Sequence, residues 1–279
     1  GRPMPLAVVG APGATAEQVL ATGKTRIYIQ GNIHAGEVEG KEAALWLLRS
    51  IAQGERAEWL RSVVLLVNPI YNADGNERLT LERAGQYGPF GGMGQRSNAQ
   101  GLDLNRDYMK LDTPEAWSLA RLWRLYDPHV AVDFHTTDGT YMAYHLTYSP
   151  PLHPFTYAPV VELLRGQLLP WVTERVRANH GWHFYYYGNL PPPYAGNLAW
   201  TDLDTTTGWY TFDHRARYSN NYWGLRNRIG ILSEAYSYAT FEERIRASRL
   251  FAEYVLQFAH DHAGAIRRLC AAADSHSVV

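Results

Sequence analysis

Arg26-Ile27-Tyr28-Ile29-Gln30-Gly31-Asn32-Ile33-His34-Ala35-Gly36-Glu37-Val38-Glu39-Gly40-Lys41-Glu42 is the stretch from which the fold is read. Its first five residues alternate in the manner of a β-strand. Ala43 to Leu48, just beyond it, carries apolar residues at the spacing of a helix core face. His34 and Glu37 therefore fall in a strand-to-helix turn, where open α/β sheets place their ligands. An imidazole and a carboxylate three residues apart in such a turn can address one ion. A hydrolytic zinc site commonly uses two His and one Glu, with water in the fourth position. A solvated turn is the competing reading of this short motif.

The chain has 279 residues, enough for one large α/β domain with a well-buried core. A hydrophobic fraction of 46% against 19% charged residues excludes a disordered chain. The net charge of −1 leaves no electrostatic footprint for nucleic acid or an anionic membrane. No apolar run reaches membrane-spanning length. Cys270 is the single cysteine, so no intrachain disulfide can form. The 19 tyrosines and 9 tryptophans suit a large core, and also the lining of a peptide- or sugar-binding cleft. Gly1-Arg2-Pro3 leads straight into a strand without an initiator Met, so a longer precursor is expected.

Outward from the opening stretch, residues 6–9 read as a strand and Gly13 to Glu17 as a turn. The helix after the His34/Glu37 turn ends near Gln53-Gly54, and a short helix over residues 55–60 precedes Ser62 to Val67, an apolar strand buried on both faces. Residues 77–107 form a long loop containing Arg96, Asn105 and Arg106. Two guanidinium forks and an amide suit carboxylates or polarised carbonyls, although surface ion pairs would equally use the arginines. Thr113-Pro114 caps a helix to Tyr126. His129 to His135 is a strand with His135 at its end and Asp133 on the same face, placed to support polar neighbours. Residues 141–148 read as a strand, 150–181 as a segment containing a long helix broken or bent at Pro170, and 182–218 as an aromatic loop layer including Pro191-Pro192-Pro193 and Trp200. Arg228 to Glu234 is a buried strand ending in a carboxylate, for which a partner is expected. The Thr240 capping box opens a helix to about Arg268.

His34-x-x-Glu37, Arg96, Asn105-Arg106, His135 and Glu234, in that order, resemble the zinc carboxypeptidase (carboxypeptidase A-like) family. Asn72-Ala73-Asp74-Gly75, Asp133-Phe134-His135 and Ser233 to Tyr238 are similar to family blocks too. The resemblance implies one domain over residues 1–279, a three-layer α/β/α fold with a mixed, mainly parallel sheet. It implies one Zn²⁺ held by His34, Glu37 and His135, with Glu234 as general base and Arg96 beside the oxyanion. Asn105 and Arg106 would then clamp the free C-terminal carboxylate of a peptide or a cell-wall peptide stem. Tyr222 is the first choice for the tyrosine that closes over substrate, ahead of Tyr218 and Tyr236. Gly36 departs from the arginine frequent before the family's metal-binding glutamate. The resemblance favours a secreted or periplasmic location. A zinc deacylase of the aspartoacylase-like type and a non-catalytic peptide-binding module are the competing functions.

Overall fold

A computed structural model describes residues 2–81, 91–138, 140–189 and 208–277. The chain opens with β1 (Ala7–Val9), α1 (Ala16–Ala21), β2 (Thr25–Gln30) and α2 (Glu39–Ala52), then β3 (Val63–Asn68), α3 (Ala73–Asn76) and α4 (Pro114–Tyr126). There follow β4 (Val130–Thr136), β5 (Leu146–Ser149), α5 (Ala158–Leu163), α6 (Leu169–His180) and β6 (Phe184–Tyr186). The last elements are α7 (Ser219–Leu225), β7 (Ile229–Ala235), α8 (Phe241–Asp261) and α9 (Ala263–His276).

The strands form one sheet in the order β1-β3-β2-β4-β7-β5-β6. The central β3, β2, β4 and β7 run parallel, while β1 and β5 join them antiparallel. Alternating side chains serve two cores. Ile27, Ile29, Val130, Val132 and Phe134 pack with Leu47, Phe251 and Leu256 on one face. Tyr28, Ala131, Val64 and Leu66 pack with Leu119, Trp123 and Trp223 on the other. Helices thus cover both faces, giving a three-layer α/β/α fold with a mixed, mainly parallel sheet. Because β2, β4 and β7 are parallel, Gln30, Thr136 and Ala235 finish at one edge of the sheet.

Two glycines let helices pack closely on the sheet, Gly40 at that edge and Gly230 near the start of β7. A Cβ on Gly40, in the first turn of α2, would lie 2.3 Å from the Phe134 Cβ. A Cβ on Gly230 would lie 2.8 Å from the Asn220 carbonyl oxygen of α7. Any larger residue would lift the helix and the loop attached to it.

Several expectations need correction. Residues 13–17 are not simply a turn: Thr15 and Gln18 form a capping box that starts α1, a helix too short to show a period. The long helix expected within 150–181 is interrupted just ahead of Pro170 rather than at it, by a π-helical turn at Leu164–Leu168. Pro170 lacks an N–H and crowds the carbonyl four residues back, so the irregularity accumulates in the preceding turn. Only Leu146–Ser149 of the expected 141–148 strand is extended. Phe184–Tyr186, read as loop, pairs with β5; Pro191-Pro192-Pro193 and Trp200 lie outside the described residues. The C-terminal helix breaks at His262 (φ −113°) and resumes as α9. Among the described residues no helix is long and apolar enough to cross a membrane.

At the opposite edge, His129 Nδ1 accepts the Arg26 N–H at 3.0 Å, which requires a neutral ring. Burial first, then the Arg26, Arg228 and Arg267 guanidiniums, push this imidazole down to about 3, against the pull of Asp127. In the unfolded chain the same imidazole titrates near 6.5. Between these values only the unfolded state binds the proton, so stability falls as pH drops through the window, by at most about 1.4 kcal/mol per pH unit. His129→Asn keeps an acceptor for Arg26 and removes the titration. Denaturant midpoints of chelator-treated protein from about pH 7 to about pH 4 should decline less steeply in the variant. Parallel declines would show that His129 does not cause the acid sensitivity.

Candidate metal centre

The loop leaving β2 is built for rigidity. Asn32 adopts a left-handed φ of 63°, which asparagine tolerates better than most residues, and its amide donates to the Ala35 carbonyl at 3.0 Å. Asn72 donates to the Ile33 carbonyl at 3.2 Å and the Arg96 carbonyl at 3.1 Å, tying three loops together. The Ala35 N–H donates to the Gln95 carbonyl at 3.2 Å. His34 and Glu37 are thereby held against the end of β4.

His34, Glu37 and His135 are all buried, and one donor atom from each lies within 4.8 Å of the others. His34 Nδ1 is 3.0 Å from Glu37 Oε1, and His135 Nδ1 is 2.9 Å from Glu37 Oε2. The far nitrogens are claimed by carboxylates: His34 Nε2 is 3.0 Å from Asp103 Oδ1, and His135 Nε2 is 2.9 Å from Asp133 Oδ2. A proton on each Nε2 leaves both Nδ1 lone pairs directed inward, the arrangement found behind metal-binding histidines. Asp133 is itself held by Gln30, whose amide donates to Oδ1 at 3.0 Å from the neighbouring strand. Two imidazoles and a carboxylate with no cysteine form a hydrolytic rather than a structural zinc set. The residues present fit that ion.

The electrostatics agree. Burial opposes the Glu37 anion, but the His34 and His135 imidazoles outweigh it and hold its carboxyl well below the usual range. Burial likewise opposes a charged His135, yet Asp133 and Glu37 hold its pKa well above the ordinary value. Asp103 is lowered too: burial works against its anion, and His34, Arg96 and Arg106 overcome it.

Glu234 stands opposite His135 in the β4–β7 register, about 4.8 Å away across the strand spacing. Desolvation raises its carboxyl well above the ordinary range; His135 pulls it down, while Glu37, Asp138 and Asp133 push it up. Arg96 places Nε 3.0 Å and Nη2 2.9 Å from Asp103 Oδ2, with Nη1 3.8 Å from Glu37 Oε1. Asn105 is buried, its Nδ2 3.3 Å from His135 Nε2 and its Oδ1 accepting the Ser219 N–H at 3.2 Å. Arg106 lies over the Tyr218 ring at 4.6 Å, its Nη1 donating to the Asn105 carbonyl at 2.8 Å. Tyr222, the first choice for the closing tyrosine, packs instead on Tyr108 at 5.7 Å in the second core. Its phenol meets Arg226. Asp103 joins the site between His34 and Arg96, a role that nothing distinguishes in a loop rich in Asn, Asp and Arg.

Residues 1–129 match the family model described as zinc carboxypeptidase. Carboxypeptidase 2 of Trichophyton rubrum is 29% identical over 137 residues, 48% of this chain and 22% of that protein. The match thus spans less than a quarter of the length of the curated relative. A metallo-carboxypeptidase from Burkholderia cenocepacia superposes with a TM-score of 0.62, at 15% identity, over 93% of this chain and 61% of that one. A metallo-carboxypeptidase from Pseudomonas aeruginosa, in complex with (2-guanidinoethylmercapto)succinic acid, gives 0.60 at 15% identity, over 94% and 61%. At such identity the superpositions show the fold alone. The resemblance to zinc carboxypeptidases therefore holds by sequence over residues 1–129 and by fold over nearly the whole chain.

Purified protein should take up zinc at about one ion per chain, and His135→Ala should lose most of it. Binding should release a proton from the His135–Glu37 contact, so affinity should fall as pH falls. Asp103→Asn, which weakens the support behind His34, should cost roughly ten- to hundredfold in affinity by chelator competition. Wild-type zinc retention by His135→Ala would place the third ligand elsewhere.

Proposed function

We propose that this relative of the zinc carboxypeptidases is a zinc metallocarboxypeptidase that hydrolyses the C-terminal bond of a peptide. The observation that carries this reading is the buried His34/Glu37/His135 group, with a carboxylate on one side and two arginines at its rim. When bound, zinc would polarise the scissile carbonyl and lower the pKa of the attacking water.

The chain's own residues supply the rest. Glu234, raised in pKa and without an arginine or lysine ion pair among the described residues, takes the proton of the water and returns it to the leaving amine. Arg96 presents Nη1 on the Glu37 side of the group, where it reaches the oxygen that gains charge. Arg106, braced by the Tyr218 face and the Asn105 carbonyl, offers its remaining guanidinium donors to a terminal carboxylate. Asn105 is fixed by the Ser219 N–H on its Oδ1 and holds Arg106 through its carbonyl, which leaves the Nδ2 protons for substrate. Tyr218, rather than Tyr222, shares the Arg106 side of the site.

Glu234→Gln preserves shape and removes the base. Its hydrolysis rate should fall by roughly a hundredfold or more, with zinc content unchanged. Amidated peptides should resist the wild-type protein, because Arg106 has no anion to pair with. Comparable turnover of free and amidated peptides would exclude the terminal-carboxylate clamp. Peptide binding without hydrolysis of any terminal residue would make the chain a binding module.

A further inference from the structure

Glu39 and Arg244 occupy positions that their elements otherwise give to small or apolar side chains. Glu39 lies in the first turn of α2, and Arg244 shares the inward face of α8 with Ala247 and Phe251. Both are 1% exposed, and Arg244 Nε donates to Glu39 Oε1 at 3.1 Å. Glu39 Oε2 is buried with no hydrogen-bond partner among the described residues. A buried ion pair with an unsatisfied oxygen is a poor source of stability compared with apolar side chains of similar size. Its contacts show a different use.

Thr136, directly after His135, donates its main-chain N–H to Glu37 Oε2 at 3.1 Å and its hydroxyl to Glu39 Oε1. Arg244 continues from Glu39 to the Ala239 carbonyl at 2.8 Å and the Ser237 carbonyl at 3.4 Å, just beyond Glu234. The Ser237 N–H returns to Thr137 Oγ1 at 3.0 Å. Val38, which should cap α2, makes no side-chain capping bond, so Glu39 anchors this end of the helix instead. The loop of Glu37, the end of the His135 strand and the segment after Glu234 are thus joined through one buried pair.

We infer that Glu39 and Arg244 are a positioning pair, holding Glu37 and the Glu234 strand end in fixed relation to His135. The inference rests on the reading of His34, Glu37 and His135 as metal ligands. Neither residue belongs to the ligand group. It acts through Thr136 on one side and through the Ser237–Ala239 backbone on the other, setting the geometry of the ligand carboxylate.

The test uses zinc affinity by chelator competition, the visible absorption of the Co²⁺-loaded protein, and thermal unfolding of the metal-free protein. Glu39→Leu/Arg244→Met replaces the pair by apolar volume and should unfold close to wild type. It should bind zinc roughly ten- to hundredfold more weakly and shift the cobalt bands, which a purely structural pair would leave in place. Arg244→Lys keeps the charge but not the fork, and should move both readouts in the same direction by a smaller factor; it decides the matter should the double variant fail to fold. Folded variants with wild-type zinc affinity and an unchanged cobalt spectrum would overturn the inference and leave the proposed function standing. A wild type that binds neither ion would overturn both.

Discussion

A carboxylate shut away from water must be paired, and Glu37 meets that demand with the two imidazoles of His34 and His135. This contact brings together a loop after β2 and the end of β4, which lie 98 residues apart along the chain. Much of the surrounding structure can be read as what makes that meeting possible. The parallel β2–β4 register sets the two strand ends side by side, and Gly40 lets α2 come down onto Phe134. The asparagines at positions 32 and 72 fix the loop in between.

The same demand propagates outward. Each imidazole that serves Glu37 needs its second nitrogen satisfied, and Asp103 and Asp133 do this from opposite sides. Those carboxylates need donors in turn: Arg96 for Asp103, Gln30 for Asp133. Glu234 differs, because the groups around it are mostly carboxylates rather than cations. Crowding of like charge beside paired charge separates a prospective base from prospective ligands by environment alone.

The matched N-terminal part and the rest of the chain divide the site unequally. His34, Glu37, Arg96, Asn105 and Arg106 lie within residues 1–129, whereas His135 and Glu234 lie beyond them. The later pair is nevertheless placed by the same strand ends, since β4 and β7 continue the parallel core begun by β2. A sheet transmits position through its register, so residues beyond the matched part arrive beside those within it.

Strands β2, β3, β4 and β7 were legible because strands buried on both faces concentrate apolar residues in short runs, and His34, His135 and Glu234 were legible as the polar residues at or just beyond their ends. The order of His34, Glu37, Arg96, Asn105, Arg106, His135 and Glu234 carried the family resemblance. The sequence could not show α1, β6 or the break at His262, because a six-residue helix, a three-residue strand and a local change of helix direction leave no period to detect. Nor could it single out Asp103, separate Tyr218 from Tyr222, or join Glu39 to Arg244. Local patterning depends on neighbours along the chain. Which carboxylate supports which histidine, which tyrosine meets Arg106, and which buried charges pair depend on distances through space, and these exist only once the sheet has set its register.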